Sequence, residues 1–338
     1  MSVFVVAAAC STDPNGPQTI RLVTHDSFLI SDGVLEAFET ASGHRVERLT
    51  GGDAGTMVNQ AVLTKGNPIG DVMFGVDTTF LGRALDEGLF EPYESSGLDA
   101  VPDALEVSDL VTPIDFGDVC LNYDIAGLAE SGIAPPSQLA DLTEPPYSGR
   151  LVVENPATSS PGLAFLLATV AAFGEEGAYT WQEFWTDLVG NDVIVTSGWE
   201  EAYYGEFSGG AGSGSIPIVV SYASSPPAEI IFADPRPAEA PTAVVTSGCF
   251  RQVEFAGILA GTEVAPAAGE LIDFMLSLEF QEDIPLNMFV FPANQDAALP
   301  PEFIEFTQVP EQPLTLDPRV INENRDRWID EWTQIVLP

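Results

Sequence analysis

The chain has 338 residues and carries 51 Asp and Glu against 11 Lys and Arg, a formal net charge of −40 at pH 7. A hydrophobic fraction of 45% excludes a disordered acidic chain, since such chains lack the apolar side chains that form a core. The charge argues against nucleic acid and an anionic membrane surface as partners, because both require clustered Lys and Arg. It permits a cationic ligand, but it can also be only a solubility or salt-adaptation trait.

The first ten residues end in a pattern typical of a bacterial lipoprotein signal. An apolar stretch leads to Ala7, Ala8 and Ala9, and then to Cys10. The basic residues that usually begin such a signal are missing, and the stretch is too short to span a bilayer. We expect residues 1–18 to be a signal remnant and tether with a lipid on Cys10; the alternative is a disordered terminus with an incidental cysteine.

From residue 19 onward, short apolar strands alternate with segments of helical period. Two helical segments end at Gly43 and Gly88, as suits the residue that follows a helix. Three strand–helix units in a row predict an open, mainly parallel sheet. The strands are predicted at 20–25, 44–49 and 71–77, and the helices at 34–43, 53–64 and 78–88.

The rest of the chain repeats this alternation. Residues 207–215 form a loop that is flexible by composition, and residues 234–242 form a Pro-rich connection. Further strands are predicted at 119–124, 150–156, 191–197, 215–223 and 250–261, with helices at 160–173, 180–190, from Trp199, 269–281 and 317–336.

This order predicts an α/β protein with two lobes. Lobe I comprises residues 19–116 and about 248–338, and lobe II comprises residues 117–247. Each lobe is expected to contain a mainly parallel sheet flanked by helices. Since lobes of this kind bind ligands in the crevice at the carboxyl ends of their strands, we expect a ligand in the cleft between them.

Two cysteines remain beyond Cys10, in a chain with an apparent export signal. Cys120 and Cys249 both lie in apolar, strand-like runs, and disulfides persist in exported proteins. The sequence therefore predicts a Cys120–Cys249 disulfide. It has no CxxC motif and no Cys/His cluster, so a structural zinc site has no support.

The usual enzyme motifs are missing from the sequence. It has no GxGxxG after a strand, no GxxxxGK[ST] and no HExxH, and its letters GAGSGS lie in the Gly/Ser loop without the context of a nucleophile elbow. The two histidines, His25 and His44, do not lie beside an evident nucleophile. We expect no catalytic residues, no metal and no cofactor.

Polar and aromatic residues gather at the predicted carboxyl ends of strands, although each one alone can be a helix cap or a partly buried ring. Pro161 and Gly162 follow two serines at a helix start, where hydroxyls and backbone N–H groups can bind a polar or anionic group. Trp199 and Tyr203 share a helix face that suits a flat ring. The strand-end residues are His25, Asp26, Ser27, Asp77, Asp115, Thr158, Ser159, Ser160, Trp199, Ser221 and Tyr222.

Seven segments carry a family resemblance: VTHDSF (23–28), GDVMFGVD (70–77), PIDFGDVCLNYD (113–124), NPATSSPGLAFLL (155–167), VTSGWEEAY (195–203), VVSYASSP (219–226) and IPLNMFVFP (284–292). In this order the chain resembles the thiamine-binding substrate-binding proteins of bacterial ABC transporters, over about residues 19–335. The resemblance implies the two-lobed periplasmic-binding-protein fold, which closes around its ligand by a hinge motion.

The resemblance also implies where the ligand rings lie. His25 stands where relatives often have a Tyr that stacks on the ligand, and Asp26 and Ser27 follow it. Phe289 stands where relatives can have Trp. Both changes retain a ring that can stack.

Other positions carried over from the family hold the tail and the rings of the ligand. Ser159 and Ser160, followed by Gly162, match the residues that hold the hydroxyethyl or phosphate end. Trp199 and Tyr222 match positions that contact the rings.

The chemistry of thiamine suits these residues. Its thiazolium ring is a permanent flat cation, to which an aromatic face contributes about 0.5–2 kcal/mol. Asp26, Asp53 and Asp77, with Asp115 nearby, can add a countercharge, and an acid can accept a hydrogen bond from the exocyclic amine. Asp53 matches an acid of the family at the start of the second helix.

We therefore expect a monomeric extracytoplasmic protein, periplasmic or lipid-anchored, that captures thiamine and delivers it to a membrane permease and its ATPase. The scarcity of Lys and Arg favours thiamine itself, with the monophosphate and diphosphate tolerated. The alternative is a related protein that binds ferric iron or a polyamine. The pair Tyr203–Tyr204 superficially suits iron, but iron-binding relatives carry their tandem tyrosines at the position of Tyr222.

Overall fold

The computed structural model describes residues 16–52 and 54–337. The predicted lipidation site Cys10, the predicted ligand contact Asp53 and most of the predicted tether lie outside the described residues.

Within these residues, ten strands form one mixed sheet in the order β2-β1-β3-β9-β5-β8-β6-β7, with β10 beside β5 and β4 beside β9. The strands are β1 Thr19–Thr24, β2 Arg45–Thr50, β3 Val72–Asp77, β4 Phe90–Glu91, β5 Thr112–Asp124, β6 Leu151–Glu154, β7 Ile194–Thr196, β8 Ile218–Tyr222, β9 Thr242–Leu259 and β10 Phe291–Pro292. All predicted strands are confirmed in position.

Helices cover the sheet, and most lie where the sequence predicts them. The predicted helix at 269–281 is two helices, because Ser277 caps a new one with its hydroxyl. The predicted helix from Trp199 continues as a π-helical turn at Glu201–Glu206. The α-helices of the described residues are α1 Asp32–Ser42, α2 Ala54–Thr64, α3 Thr78–Asp86, α4 Ile125–Glu130, α5 Ser160–Phe173, α6 Trp181–Gly190, α7 Ser225–Ile231, α8 Ala265–Met275, α9 Leu278–Gln281, α10 Ile284–Asn287, α11 Pro301–Phe306 and α12 Pro318–Val336.

The sheet is less parallel than the sequence predicts. Three strands are parallel in each half, namely β2-β1-β3 and β8-β6-β7. The long strands β5 and β9 run antiparallel to each other from Thr112↔Ala256 to Asp124↔Thr242, and each also pairs antiparallel with its outer neighbour. Because these two strands cross from one half of the sheet to the other, they connect the halves directly.

Two hydrophobic cores lie on either side of this crossing. The first packs β1, β3 and the later part of β9 against α1, α2, α3 and α8, and the second packs β6 and β8 against α5 and α6. The C-terminal helix α12, which the sequence assigns to lobe I, places Trp328 and Trp332 in the second core, where Trp332 meets Trp185 edge to face at 5.5 Å. We call the parts of the described chain around the first and the second core lobe I and lobe II, and the region between them the cleft.

The predicted disulfide is confirmed. Cys120 and Cys249 are bonded, with their Cα atoms 4.3 Å apart, and both are buried. They lie on β5 and β9 where the register shifts between Val119 and Leu121, at the point where the strands pass from one lobe to the other. The disulfide therefore joins the two crossing strands.

Removal of this disulfide should destabilise the protein. A crosslink between residues 129 positions apart restricts the unfolded chain, and loss of a disulfide costs about 2–5 kcal/mol. We expect the double variant Cys120→Ala/Cys249→Ala to lose about that amount of unfolding free energy in denaturant titrations. Wild-type protein in reductant serves as the second arm, and an unchanged free energy in both arms would contradict the crosslink's role.

Candidate functional site

Three carboxyl groups lie side by side on adjacent strands at the cleft. Glu254 of β9 is paired in register with Asp77 of β3 on one side and with Asp115 of β5 on the other. Asp77 and Asp115 are both fully buried. Residues that lie directly opposite each other on neighbouring strands project to the same face of the sheet. The three carboxyl groups are therefore neighbours, and repulsion between them is unfavourable when they are ionised.

The two outer acids of the row differ in their hydrogen bonds. Asp77 caps α3, where one of its oxygens accepts from the backbone N–H groups of Thr79 (2.8 Å) and Phe80 (3.1 Å), and its other oxygen accepts from Gln252. No N–H or hydroxyl group of the described residues donates to the Asp115 carboxyl, and its neighbour is the Glu254 carboxyl. Asp115 therefore lacks the donors that Asp77 has.

Burial and neighbouring charge set the protonation of this row. Burial and the adjacent Glu254 raise the pKa of Asp115 well above its usual range. Burial, with Glu254, also raises the pKa of Asp77, although its hydrogen bonds oppose the change. Asp77 and Asp115 therefore release their protons at a higher pH than isolated carboxyl groups do.

His25 lies beside the acid row. Its Nε2 lies 3.4 Å from a carboxyl oxygen of Glu254. Burial lowers the pKa of His25, but the attraction of Glu254, with smaller contributions from Asp77 and Asp26, outweighs burial and raises it overall. Asp26 and Ser27 follow on the exposed loop after β1.

Tyr222 lies at the carboxyl end of β8, opposite Val119 of β5. Its hydroxyl is 3.5 Å from the Gln252 amide oxygen, to which it donates. Burial raises the pKa of Tyr222, and the carboxyl groups of Glu254, Asp77, Glu154 and Asp115 add to that effect. Tyr222 is thus a neutral phenol at the centre of four acids.

Trp199 forms part of the wall on the side of lobe II. Its indole N–H donates to the Ser221 hydroxyl at 2.9 Å, and its ring stacks on Tyr203 with centroids 5.0 Å apart. Tyr203 is buried, and its hydroxyl donates to Glu229 at 2.6 Å. The π-helical turn and these contacts fix the Trp199 ring, with Tyr203 behind it.

Ser159, Ser160 and Gly162 lie at the start of α5. The Ser159 hydroxyl accepts from the Gly162 N–H at 3.3 Å, so it caps the helix. A Cβ at Gly162 would lie 2.6 Å from the carbonyl oxygen of Glu154, which explains the glycine by close packing. A cavity of about 250 Å³ lies between the first turn of α2, the first turn of α5 and the helix α12. Its lining residues are Gly55, Thr56, Asn59, Phe80, Pro156, Ala157, Thr158, Ser159, Ser160, Arg325, Asp326 and Ile329.

Phe289 lies between lobes. It has a φ of 56°, which is unusual for a bulky residue, and its carbonyl oxygen accepts a hydrogen bond from Ser224, just after β8. Its ring contacts Phe232 of lobe II at a centroid distance of 5.0 Å. The hydrogen bond from Ser224 and the contact with the Phe232 ring both hold Phe289 in this unusual backbone conformation.

The structure brings most of the predicted residues to the end of β8. His25, Asp77, Asp115 and Tyr222 share one cluster, and Trp199 adjoins it through Ser221. The two serines lie at the neighbouring helix start, while Tyr203 supports Trp199 from behind. Asp53 lies outside the described residues.

Sequence reasoning missed Gln252, Glu254 and Glu154. The first two alternate with Val253 and Phe255 along β9, so a period-two pattern of polar residues in an apolar strand signalled a polar face. Glu154 ends the apolar strand β6 and is 1% exposed. Its burial was not evident from the sequence, because strand ends are often exposed.

A second cavity, of about 280 Å³, lies on lobe I between the end of α2 and β9, and it contains none of the predicted site residues. Among the described helices, none combines the length and the apolar character that a membrane span requires.

Two lobes connected by crossing strands, with a polar and aromatic cleft at the strand ends, define a solute-binding protein. The chain belongs to the bacterial extracellular solute-binding proteins, whose sequence profile matches residues 67–307. Its location is accordingly extracytoplasmic.

Individual relatives are similar to this chain over nearly its whole length. The thiamine-binding periplasmic protein of Escherichia coli (strain K12) is 30% identical, with 97% of this chain and 96% of the relative covered. The thiamine-binding periplasmic protein of Brucella suis biovar 1 is 29% identical, with 93% and 91% covered. A solved structure of a periplasmic thiamin binding protein has 28% identity and a TM-score of 0.79, with 94% and 96% covered.

The buried acid row should make stability depend on pH. Because the folded-state pKa of Asp115 is raised, its contribution is present below the ordinary carboxyl pKa of about 4 and is lost as the pH rises through the folded value. Asp115→Asn cannot ionise, so its melting temperature relative to wild type should rise from pH 4 to pH 8.

Asp71→Asn is the matched control, since Asp71 is also a buried strand-side carboxyl group but pairs with Arg21 at 2.9 Å. Burial raises the pKa of Asp71, but hydrogen bonds from Arg21 outweigh burial and lower it overall, so its replacement should lower the melting temperature at neutral pH. An Asp115→Asn difference that is the same at both pH values would contradict the account of the row.

Proposed function

We propose that this protein captures thiamine in the interlobe cleft and delivers it to the permease and ATPase of an ABC importer. The observation that carries the proposal is the buried row of Asp77, Glu254 and Asp115, in which Asp115 has only the neighbouring Glu254 carboxyl as a partner among the described residues. Family membership and the names of the relatives at 29–30% identity support it.

The charge of the site suits a permanent organic cation. A thiazolium ring carries a positive charge without an N–H proton, so it is less strongly hydrated than a small metal ion and can enter a half-buried site. Next to Asp115 and Glu254 it stabilises the ionised carboxylates, which otherwise repel one another. In turn, the carboxylates supply the countercharge that a buried cation requires.

A flat cationic ligand also requires aromatic rings on which it can stack. Trp199 presents an indole held in place by Ser221 and Tyr203. Tyr222 lies at the end of β8 in lobe II, and Phe289 lies in lobe I, where its carbonyl oxygen accepts from Ser224 of lobe II. A cation over one of these rings gains about 0.5–2 kcal/mol, and closure of the lobes brings the rings of both lobes to the ligand.

We infer that the cavity at Ser159 and Ser160 receives the hydroxyethyl tail, while the acid row and the rings, which do not line this cavity, contact the rest of the ligand. The cavity lies at the N-terminus of α5, where backbone N–H groups favour oxygen ligands and anions. Arg325 also lines it but already pairs with Asp326. We infer that thiamine itself is preferred and that its monophosphate and diphosphate are tolerated.

No observation favours ferric iron. The Tyr203 hydroxyl is bonded to Glu229, and the neighbouring Tyr204 ring is 46% exposed and inclined at 84° to Tyr203. The part of the chain that the structure describes contains no group of three His, Cys, Asp or Glu side chains placed to hold a metal ion. A polyamine would use the acids but not the aromatic faces.

Calorimetric titration tests the proposal. We expect thiamine to bind more tightly than about 10 μM, roughly −7 kcal/mol, and Trp199→Ala to weaken binding by about 2 kcal/mol because an anchoring ring is removed. Spermidine and ferric citrate are the competing ligands.

Trp199→Phe is the matched control, since it retains a ring face and should lose less affinity than the alanine variant. Absence of thiamine binding in the wild-type protein, or tighter binding of spermidine or ferric citrate, would refute the assignment. An unchanged affinity in Trp199→Ala would remove this ring from the site.

A further inference from the structure

Glu154 is a buried carboxyl group to which no other residue described in the structure donates a hydrogen bond. It ends β6, is 1% exposed, and neither of its carboxyl oxygens has a hydrogen-bond partner on another of residues 16–52 and 54–337. Buried polar groups in proteins are nearly always hydrogen-bonded, because an unpaired one loses its hydration without compensation. An isolated carboxyl group of this kind calls for a functional explanation.

The strand geometry directs Glu154 towards the cleft wall. Side chains two residues apart on a strand share a face, and Val152 packs in the cluster that contains Tyr203 and the partly buried Trp199. Val152 pairs with Val219 in the parallel strands β6 and β8, and two residues further along these strands Glu154 and Ser221 lie on that same face of the sheet. Since Ser221 accepts from the Trp199 indole, Glu154 adjoins the proposed ring-binding wall.

Glu229, the other buried glutamate among the described residues of lobe II, has the hydrogen-bond donor that Glu154 lacks. Glu229 accepts a hydrogen bond from the Tyr203 hydroxyl at 2.6 Å, so the protein satisfies it. The acid row at Asp77, Glu254 and Asp115 lies on the strands that lead into lobe I. Glu154 is therefore an acid of lobe II that lies within electrostatic reach of Tyr222, as the row does, and burial raises its pKa well above the usual range.

The positions of the acid row and of Glu154 match the different needs of the two rings of thiamine. The thiazolium ring needs countercharge and no hydrogen bond, which the acid row supplies. The aminopyrimidine ring needs a hydrogen-bond acceptor for its exocyclic N–H, beside an aromatic face. The protonated or ionised carboxyl of Glu154 retains an acceptor oxygen in either state.

We propose that Glu154 is a specificity-determining residue that accepts a hydrogen bond from the exocyclic amine of the ligand's aminopyrimidine ring. The inference rests on the proposed function, and it extends that function to the class of heteroaromatic amines. A ligand without the amine leaves Glu154 unpaired in the closed cleft, and sites with a buried polar group reject such analogues strongly.

The experiment compares two ligands and three variants by calorimetry. The ligands are thiamine and 4′-deaminothiamine, in which hydrogen replaces the exocyclic amine. We expect wild-type protein to prefer thiamine by about tenfold or more, Glu154→Gln to retain most of that preference through its amide oxygen, and Glu154→Met to lose it. Glu130→Met makes the same change at the exposed end of α4 and should retain the wild-type preference.

The preference is a ratio measured on the folded fraction, so a change in stability does not obscure it. Glu154→Met should also melt at a higher temperature than wild type, because it removes an unpaired buried carboxyl group. An undiminished preference in Glu154→Met, or an equal loss of affinity for both ligands, would overturn the role of Glu154. If wild-type protein binds neither ligand, the proposed function itself fails, which is a distinct result.

Discussion

The row of carboxyl groups across β3, β9 and β5 is the constraint on which the site depends. Glu254 lies between Asp77 and Asp115 in register, and both neighbours are fully buried. Such a row is unfavourable while it is ionised and unpaired. Shared protons, His25 beside it or a bound cation can stabilise the row, so the row suits a cationic ligand.

The crossing strands explain how this row comes to the cleft. β5 and β9 pair with each other through both lobes, and the disulfide ties them where they pass between the two cores. The acids lie on the part of these strands that packs with lobe I, whereas Trp199 and Glu154 belong to lobe II. A ligand that needs both walls therefore favours the closed arrangement, as in hinge closure around a bound solute.

Much of the local structure was predictable, because it follows from short-range patterns. Gly43 and Gly88 have φ values of 77° and 63° and follow the ends of α1 and α3, as the sequence indicates. Ser159 caps α5, and the two remaining cysteines form the expected bond. Asp77 and Tyr222 lie at the carboxyl ends of β3 and β8, as the sequence predicts. The prediction is wrong for Asp115, which lies near the amino end of β5 and joins the row because β5 pairs antiparallel with β9.

The remaining features depend on pairing between distant residues. Nothing in the segment around Glu254 predicts that it faces Asp77 on one side and Asp115 on the other, because that register arises from strands far apart in the chain. The antiparallel crossing of β5 and β9 and the attachment of α12 to the second core depend on tertiary contacts in the same way.

Proton exchange during binding is the most direct test of the central claim, that an acidic cleft exchanges protons for an organic cation. Calorimetric titration with thiamine at pH 7, in buffers of different ionisation enthalpy, gives the number of protons exchanged. Because the cation stabilises ionised carboxylates and lowers their raised pKa values, the account predicts a net release of protons into the buffer. Binding with no proton exchange, or with proton uptake, would contradict it.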